Sequence, residues 1–549
     1  MVSLWGSKNG EERSEGDEAE TSGDDSRQQP RHSGGREPDE RTRLLPPRND
    51  GYLDPDDPAV SSLPSSYPTP RSSISHQVSP YNLWSVRALR YLCVLFLVIS
   101  FLWWVLLLVS IFVSPPMMHS RGSGFFDFSY TTLTIGNLLV AILFFSTPSK
   151  PMEIGSLIVA GFLLIDMIII LAVPRIRAEE GWVGIASVVW ATVMALYNVL
   201  TDRVVAWGKK EEEERLTGRQ ESRRTLREWC AVLTASVLMV VMIAVVILLT
   251  ATLILRGRDA GLAPPGERYY VDGDKYQIHL ACVGDVSYNS EGKRNPTVLL
   301  EGGENPVEDT FDDWVYDAYQ NGTIYRYCYY DRPGLAWSDN APSPHSAGMT
   351  SDALSEALAR AGEEHPWVLV SAGIGGIYGR IFSSRHRHEV SGIMLIDALH
   401  EDLLYKVAKP GRGFVLWARG IISPLGYDRL FGAIAKGRKP EDRVYGRSAY
   451  QNGKYIKAKL QENLVANSLT KNEVSQARNI QDENTPLVVV SSGINVRKDG
   501  EWETKQRDLT KITNDLVSWD VVNAAPHEVW KTLEGRQILE KRLGELVKG

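Results

Sequence analysis

Five long apolar stretches between residues 91 and 255 limit what this chain can become more than any other feature. The first, residues 91–114, carries no charge and stops at Pro115-Pro116, and the fifth, residues 231–255, is equally uncharged. Between them lie 130–146, 154–173 and 182–200, which are shorter or carry polar residues. Each is close to the ~20 residues that a helix rising ~1.5 Å per residue needs to cross the hydrocarbon of a bilayer. Soluble cores do not string together so many long apolar runs. Residues 85–256 are therefore expected to form a membrane α-helical bundle of about five transmembrane helices, with a cytosolic loop at 201–229.

An odd number of spans puts the two ends of the chain on opposite sides, and Lys and Arg in short loops select the cytosolic side. Arg87, Arg90, Lys150 and the basic run from Arg203 to Arg227 flank the N-terminal side, against Arg121, Arg175, Arg177, Arg256 and Arg258 on the other. The N-terminus is thus expected in the cytosol and the C-terminal region in a lumen. The sequon Asn321-Gly322-Thr323 would then be open to glycosylation. Asp166 falls mid-span in the third stretch. With no second ionisable group at its depth it reads as a hydrogen-bonded structural acid, leaving a transporter as a lesser alternative.

Residues 1–84 hold few aliphatic side chains, and within 1–60 there are fifteen Asp or Glu against eight Lys or Arg. Such a segment cannot bury enough apolar surface to offset its ordering entropy, so it reads as a disordered acidic cytosolic tail. It lacks both the Arg-rich character of a mitochondrial presequence and the early apolar run of a secretory signal. Glu40, Leu44 and Leu45 resemble an acidic dileucine signal for sorting to vacuoles and lysosomes. An endomembrane or vacuolar address is preferred to a mitochondrial one. A net charge of -7 gives no reason to expect a nucleic-acid partner; the bilayer is the partner expected.

From residue 266 to 549 the pattern changes to short β-rich runs alternating with helical segments, which argues for an α/β fold with a mostly parallel sheet. The runs are 276–282, 297–300, 324–330, 367–371, 392–396, 487–490 and 517–522. The break at 398–485 is too long for a plain loop and reads as a helical cap.

Four motifs carry a resemblance: Val298-Leu-Leu-Glu-Gly-Gly303, Tyr330-Asp-Arg-Pro-Gly-Leu-Ala-Trp-Ser-Asp339, Val368-Leu-Val-Ser-Ala-Gly-Ile-Gly-Gly376 and Met394-Leu-Ile-Asp-Ala-Leu-His-Glu401, with Pro526-His527 closing the order. Together, over about residues 269–545, they resemble the landmarks of the α/β-hydrolase family. The whole chain also resembles a filamentous-fungal family usually labelled mitochondrial integral membrane proteins, a label that states no activity.

The resemblance implies a nucleophilic Ser on a sharp turn between a strand and a helix, in the pattern G-x-S-x-G. Aligning Gly375 and Gly376 with that pattern places Gly373 where the Ser belongs, and glycine carries no nucleophile. Ser371 lies two residues earlier, on the strand, as a weak alternative. Oxyanion donors would come from Ile374 and from the Gly303-Glu304 region, where the Glu304 carboxylate is out of keeping with anion stabilisation. Asn495 stands near the usual position of the triad acid, Asp499 a few residues late, and Asp397 ends the preceding strand as a substitute. His527 matches the general base. The resemblance also implies that the strands carrying Cys282 and Cys328 are neighbours, leaving open a disulfide or two buried thiols.

Other chemistry is faint. His386 and His388 suit a solvated helix end better than a metal site, and Gly373-x-Gly375-Gly376 suits the hydrolase turn better than a dinucleotide fingerprint. No metal and no cofactor is expected. The apolar segment 414–430 is expected to line the cap rather than graze the bilayer. The preferred reading is a noncatalytic domain holding a lipid, peptide or protein ligand in a hydrolase-like cleft. The alternative is an active esterase or lipase using Ser371 or another hydroxyl with His527.

Overall fold

The computed structural model describes residues 83–118, 120–217 and 225–548, which fall in one compact unit beginning at His76. The tail and its Glu40, Leu44 and Leu45 lie outside the described residues. Among the described residues five helices are long and apolar enough to span a membrane: α1 (Trp84–Phe112), α2 (Phe125–Leu143), α3 (Lys150–Ala172), α4 (Pro174–Thr217) and α5 (Leu226–Asp259). Their outer faces expose Leu, Ile, Val and Trp, while Tyr130, Val159, Leu163, Ala195, Met239 and Val246 pack inside. That inside-out distribution is what hydrocarbon solvent requires. Asp166 is fully buried and accepts a hydrogen bond from Tyr130 at 3.2 Å. The fourth helix is kinked at Gly181, whose φ of 62° the sequence reading did not anticipate.

The soluble part is an eight-stranded sheet in the order β1-β2-β4-β3-β5-β6-β7-β8. The strands are β1 (Glu267–Val271), β2 (Tyr276–Val283), β3 (Thr297–Glu301), β4 (Tyr327–Tyr330), β5 (Trp367–Ala372), β6 (Val390–Ile396), β7 (Leu487–Ser492) and β8 (Leu516–Val522). Only the β1/β2 and β2/β4 pairs are antiparallel; all others are parallel. The central strands are buried along their whole length, as their unbroken Val and Leu runs demand when helices cover both faces. Those helices are α6 (Phe311–Gln320), α7 (Ala347–Ala361) and α8 (Gly375–Arg385), joined after the cap by α15 (Gly493–Lys498), α16 (Gly500–Leu509) and α17 (Leu533–Lys548). The first strand, with mixed burial and a single-turn hairpin, escaped the sequence reading. Cys282 and Cys328 face each other in the β2/β4 register and form a disulfide.

Between β6 and β7 the chain builds the cap: α9 (Leu404–Val407), α10 (Pro410–Ile422), α11 (Tyr427–Ala435), α12 (Pro440–Val444), α13 (Gly453–Val465) and α14 (Lys471–Ile480). The cap seats the soluble domain on the ends of the spans. Arg429 and Arg443 both bond Asp259 at the end of α5, the former at 2.7 Å. Lys454 of α13 reaches Glu179 at 3.3 Å, and Arg256 bonds Glu179 at 2.9 Å and Glu180 at 2.5 Å. These groups are buried, Arg256 nearly so, and each charge depends on its partner for its solvation. Leu416 and Trp417 of α10 and Ile456 and Leu460 of α13 pack with Ile111, Phe112 and Phe125 from α1 and α2.

Candidate functional site

The fifth strand ends in a turn at Gly373 with φ of 50°, and α8 starts two residues later. The turn is held from below: Gly373 donates its amide to Ile396 at 3.1 Å, and its carbonyl accepts from Leu399 at 2.8 Å and Gly376 at 3.2 Å. This is the elbow of a hydrolase fold with no side chain on it. A Cβ at Gly373 would lie 2.8 Å from Glu304 Oε2 and 3.0 Å from His527 Nε2. The missing side chain would therefore have pointed at the imidazole, and the space beside it now holds the Glu304 carboxylate.

His527 is gripped from both ends. Its Nδ1 lies 2.6 Å from Asp397 Oδ2 and its Nε2 lies 3.2 Å from Glu304 Oε2. Burial works against a charged ring, but the hydrogen bonds and charges of Asp397 and Glu304 outweigh it and push the pKa of His527 up to about 10. Burial likewise opposes ionisation of Glu304, yet His527 and then Lys459 hold its carboxyl down at about 2. An imidazolium that stays charged at neutral pH has no lone pair to offer as a base. The side chains of His527 and Glu304 are 35% and 52% exposed, so water reaches the pair.

The sequence reading spread the acid over three residues, and the geometry selects one. Asp397 is fully buried at φ of 42° after β6. It accepts from the Ser492 amide at 3.0 Å, Trp502 Nε1 at 2.9 Å and Asn495 Nδ2 at 2.7 Å as well as facing His527. Asn495 orients Asp397 instead of replacing it. Asp499 is spent capping α16 and pairing with Lys406 at 3.1 Å, which removes it from the list of acids. Ser371, the weak alternative, is fully buried on the strand, and its Oγ lies only 2.2 Å from where a Cβ on Gly379 of α8 would be, so the helix walls it in and the turn does not present it.

The loop after β3 aims Glu304. Arg332, buried beneath it, bonds Glu301 at 3.0 Å, the Gly302 carbonyl at 2.8 Å and the Gly303 carbonyl. Tyr455 of α13 donates to the Glu304 carbonyl at 3.1 Å. Gly375 is obligatory here, because a Cβ would meet the Gly302 carbonyl at 2.3 Å. Ile374 precedes α8 at the place of an oxyanion donor, but the carboxylate of Glu304 faces the elbow where the oxyanion would form. Asn321 closes α6 and donates Nδ2 to Glu540 at 2.8 Å, exposed on the surface.

Two groups of three residues in the described region have metal-ligand types within reach of one another. In one, Cys282 and Cys328 are consumed by their disulfide. In the other, His279 Nδ1 lies 2.8 Å from Asp331 and 3.7 Å from Glu308, with His279 and Asp331 buried and Glu308 partly so. Burial first, then the charge of Asp331, pushes the Glu308 carboxyl well above its usual range. Nothing in the sequence pattern flagged this trio, since its members come from β2, the loop after β3 and the end of β4.

Strand order, elbow and cap together define a membrane-anchored protein with a soluble domain of α/β-hydrolase fold. A region of unknown function, DUF2417, matches residues 40–282. An uncharacterized protein of Schizosaccharomyces pombe is 33% identical over 511 residues, covering 87% of this chain and 94% of its own, and the chain belongs to the same family as that protein. An uncharacterized vacuolar membrane protein of Saccharomyces cerevisiae is 31% identical over 330 residues, 51% of either chain. Among solved structures, an α/β-hydrolase from a deep-sea metagenome library is 11% identical with a TM-score of 0.38, covering 52% of this chain and 98% of that one. Mouse α/β-hydrolase domain-containing protein 10 is also 11% identical, with a TM-score of 0.33 over 52% and 99%.

Proposed function

We propose that the protein is a noncatalytic α/β-hydrolase-like receptor anchored in the vacuolar membrane, with its soluble domain in the lumen and a lipid, peptide or protein segment held in the cleft without chemistry. One observation carries this reading: the place of the nucleophile is taken by a glycine and a carboxylate, and that carboxylate pairs with the histidine that a nucleophile would need as a neutral base. An acyl-enzyme requires an activated oxygen at the elbow, and Gly373 supplies none. The vacuolar address draws on the yeast relative, and the lumenal side on the loop charges; the disulfide in the sheet suits an oxidising compartment.

A fluorophosphonate probe, which traps activated serines, is expected to leave the purified full chain unlabelled. Labelling that disappears in His527→Ala would overturn the noncatalytic reading and restore the hydrolase alternative. For the topology, endoglycosidase should shift the gel mobility of the native protein and leave Asn321→Gln unmoved.

A further inference from the structure

The cap segment 410–435 is more apolar on its outside than a water-facing surface should be. One face of α10 and α11 is seated on the spans. Ile421 packs with Leu107, Phe128 and Val183, and Leu425 with the core of the membrane bundle. Gly420 lies against the Phe125 ring, and Gly426, at φ of 64°, lies so close to Thr252 that a Cβ would be 2.0 Å from its hydroxyl oxygen. Thr252 belongs to the apolar stretch of α5 that ends at Leu255, so the turn between α10 and α11 lies level with hydrocarbon-facing residues of that span.

The opposite face exposes Phe414, Val415, Ile422, Tyr427, Phe431 and Ile434, at 52–82% of their surface. Around it the chain is basic, with eight Lys or Arg against three Asp or Glu over residues 409–443. Two of those cations, Arg429 and Arg443, are turned inward to Asp259. A contiguous apolar face of this size is not left to water, and one rimmed with cations and continuous with the lipid-facing surface of transmembrane helices has the composition of an interfacial helix pair.

We infer that α10 and α11 are embedded in the leaflet on the side of the soluble domain, with Phe414, Ile422, Phe431 and Ile434 among the lipid acyl chains. The occupant of this face is bilayer lipid. On this inference residues 414–430 graze the bilayer, the lesser of the two sequence readings, and the embedding is independent of whether the cleft is catalytic. It also fixes the posture of the domain: α13 packs against α10, joins the spans through Lys454 and reaches the Glu304 loop through Tyr455, so the cleft is held at a set height above the headgroups.

The test uses the full chain in phospholipid vesicles. Cys230→Ser removes the exposed thiol, leaving buried Cys93 and the disulfide. Into this background go Phe431→Cys or Ile434→Cys, each labelled with an environment-sensitive fluorophore, and Tyr325→Cys as a control, exposed two residues before β4. At 431 and 434 the emission should shift to the blue and be quenched by lipids carrying a spin label high on the acyl chain, with iodide in the buffer having little effect; at 325 the pattern should reverse. Iodide quenching at 431 and 434 as strong as at 325 overturns the inference. Blue-shifted emission without lipid quenching overturns it as well, by showing a protein surface over the face. If either label prevents reconstitution, Phe414→Cys on α10 takes its place with the same outcomes.

Discussion

Replacing Gly373 with serine puts the hydrolase residue back into a place that is already filled. Two costs can be read from the structure. The turn at φ of 50° is left-handed, which costs a side-chain-bearing residue about 1–2 kcal/mol. The new Cβ would stand 2.8 Å from one Glu304 oxygen, closer than real Cβ atoms come, and 3.1 Å from the other, so Glu304 must swing away from His527. Because both partners keep solvent contact, losing that ion pair costs only ~0–1 kcal/mol. Gly373→Ser should therefore destabilise by about 1–3 kcal/mol, a fall of several degrees in melting temperature at roughly 2–4 °C per kcal/mol for a domain of this size. The second background is Glu304→Ala. There the contact with Glu304 is gone, and the serine should cost only its backbone term, so the two substitutions are expected to be less than additive. The double variant also has its hydroxyl beside His527, with Asp397 still on the other ring nitrogen. It should gain fluorophosphonate labelling that Gly373→Ser alone lacks. The measurements are melting curves of the four proteins and probe labelling on a gel. Equal cost of the serine with and without Glu304 would refute the claim that this carboxylate occupies the nucleophile's space.

Three further outcomes follow from the same geometry. The His527–Glu304 pair should contribute a constant stability between about pH 4.5 and 6.5, because the raised pKa of His527 loses its contribution only as pH climbs toward about 10 and the lowered pKa of Glu304 only as pH falls toward about 2; His527→Gln should flatten the melting-temperature profile on both flanks. Asp259→Asn leaves Arg429 and Arg443 buried without their acid and should cost roughly 3–5 kcal/mol, seen as protease cleavage within 426–443 that the native chain resists. Cys282→Ser removes a cross-link spanning 46 residues, and a chain-entropy estimate puts the loss at about 4 kcal/mol; finding both native cysteines freely alkylated under denaturing, non-reducing conditions would remove the basis for that figure.

What the amino-acid sequence determined here is whatever near neighbours along the chain can specify. Hydrocarbon solvent requires uninterrupted apolar runs, so the five spans were legible to within a few residues at most ends, and the buried parallel strands announced themselves as Val and Leu runs. The glycine at 373 was legible because the elbow motif is local, and so was the histidine at 527. Tertiary structure decided the rest. Asp397 and His527 are 130 residues apart, and only the order of β6, β7 and β8 in the sheet brings the acid to the ring in place of Asn495 or Asp499. The direction of the Glu304 side chain depends on Arg332 and Tyr455 anchoring its loop from 28 and 151 residues away. The seat of 414–430 was not legible, because an amphipathic helix shows that it has two faces without showing which of them meets protein. Its seat was set by Asp259, Phe125 and Thr252, residues of the membrane domain whose nearness to the cap no local pattern records.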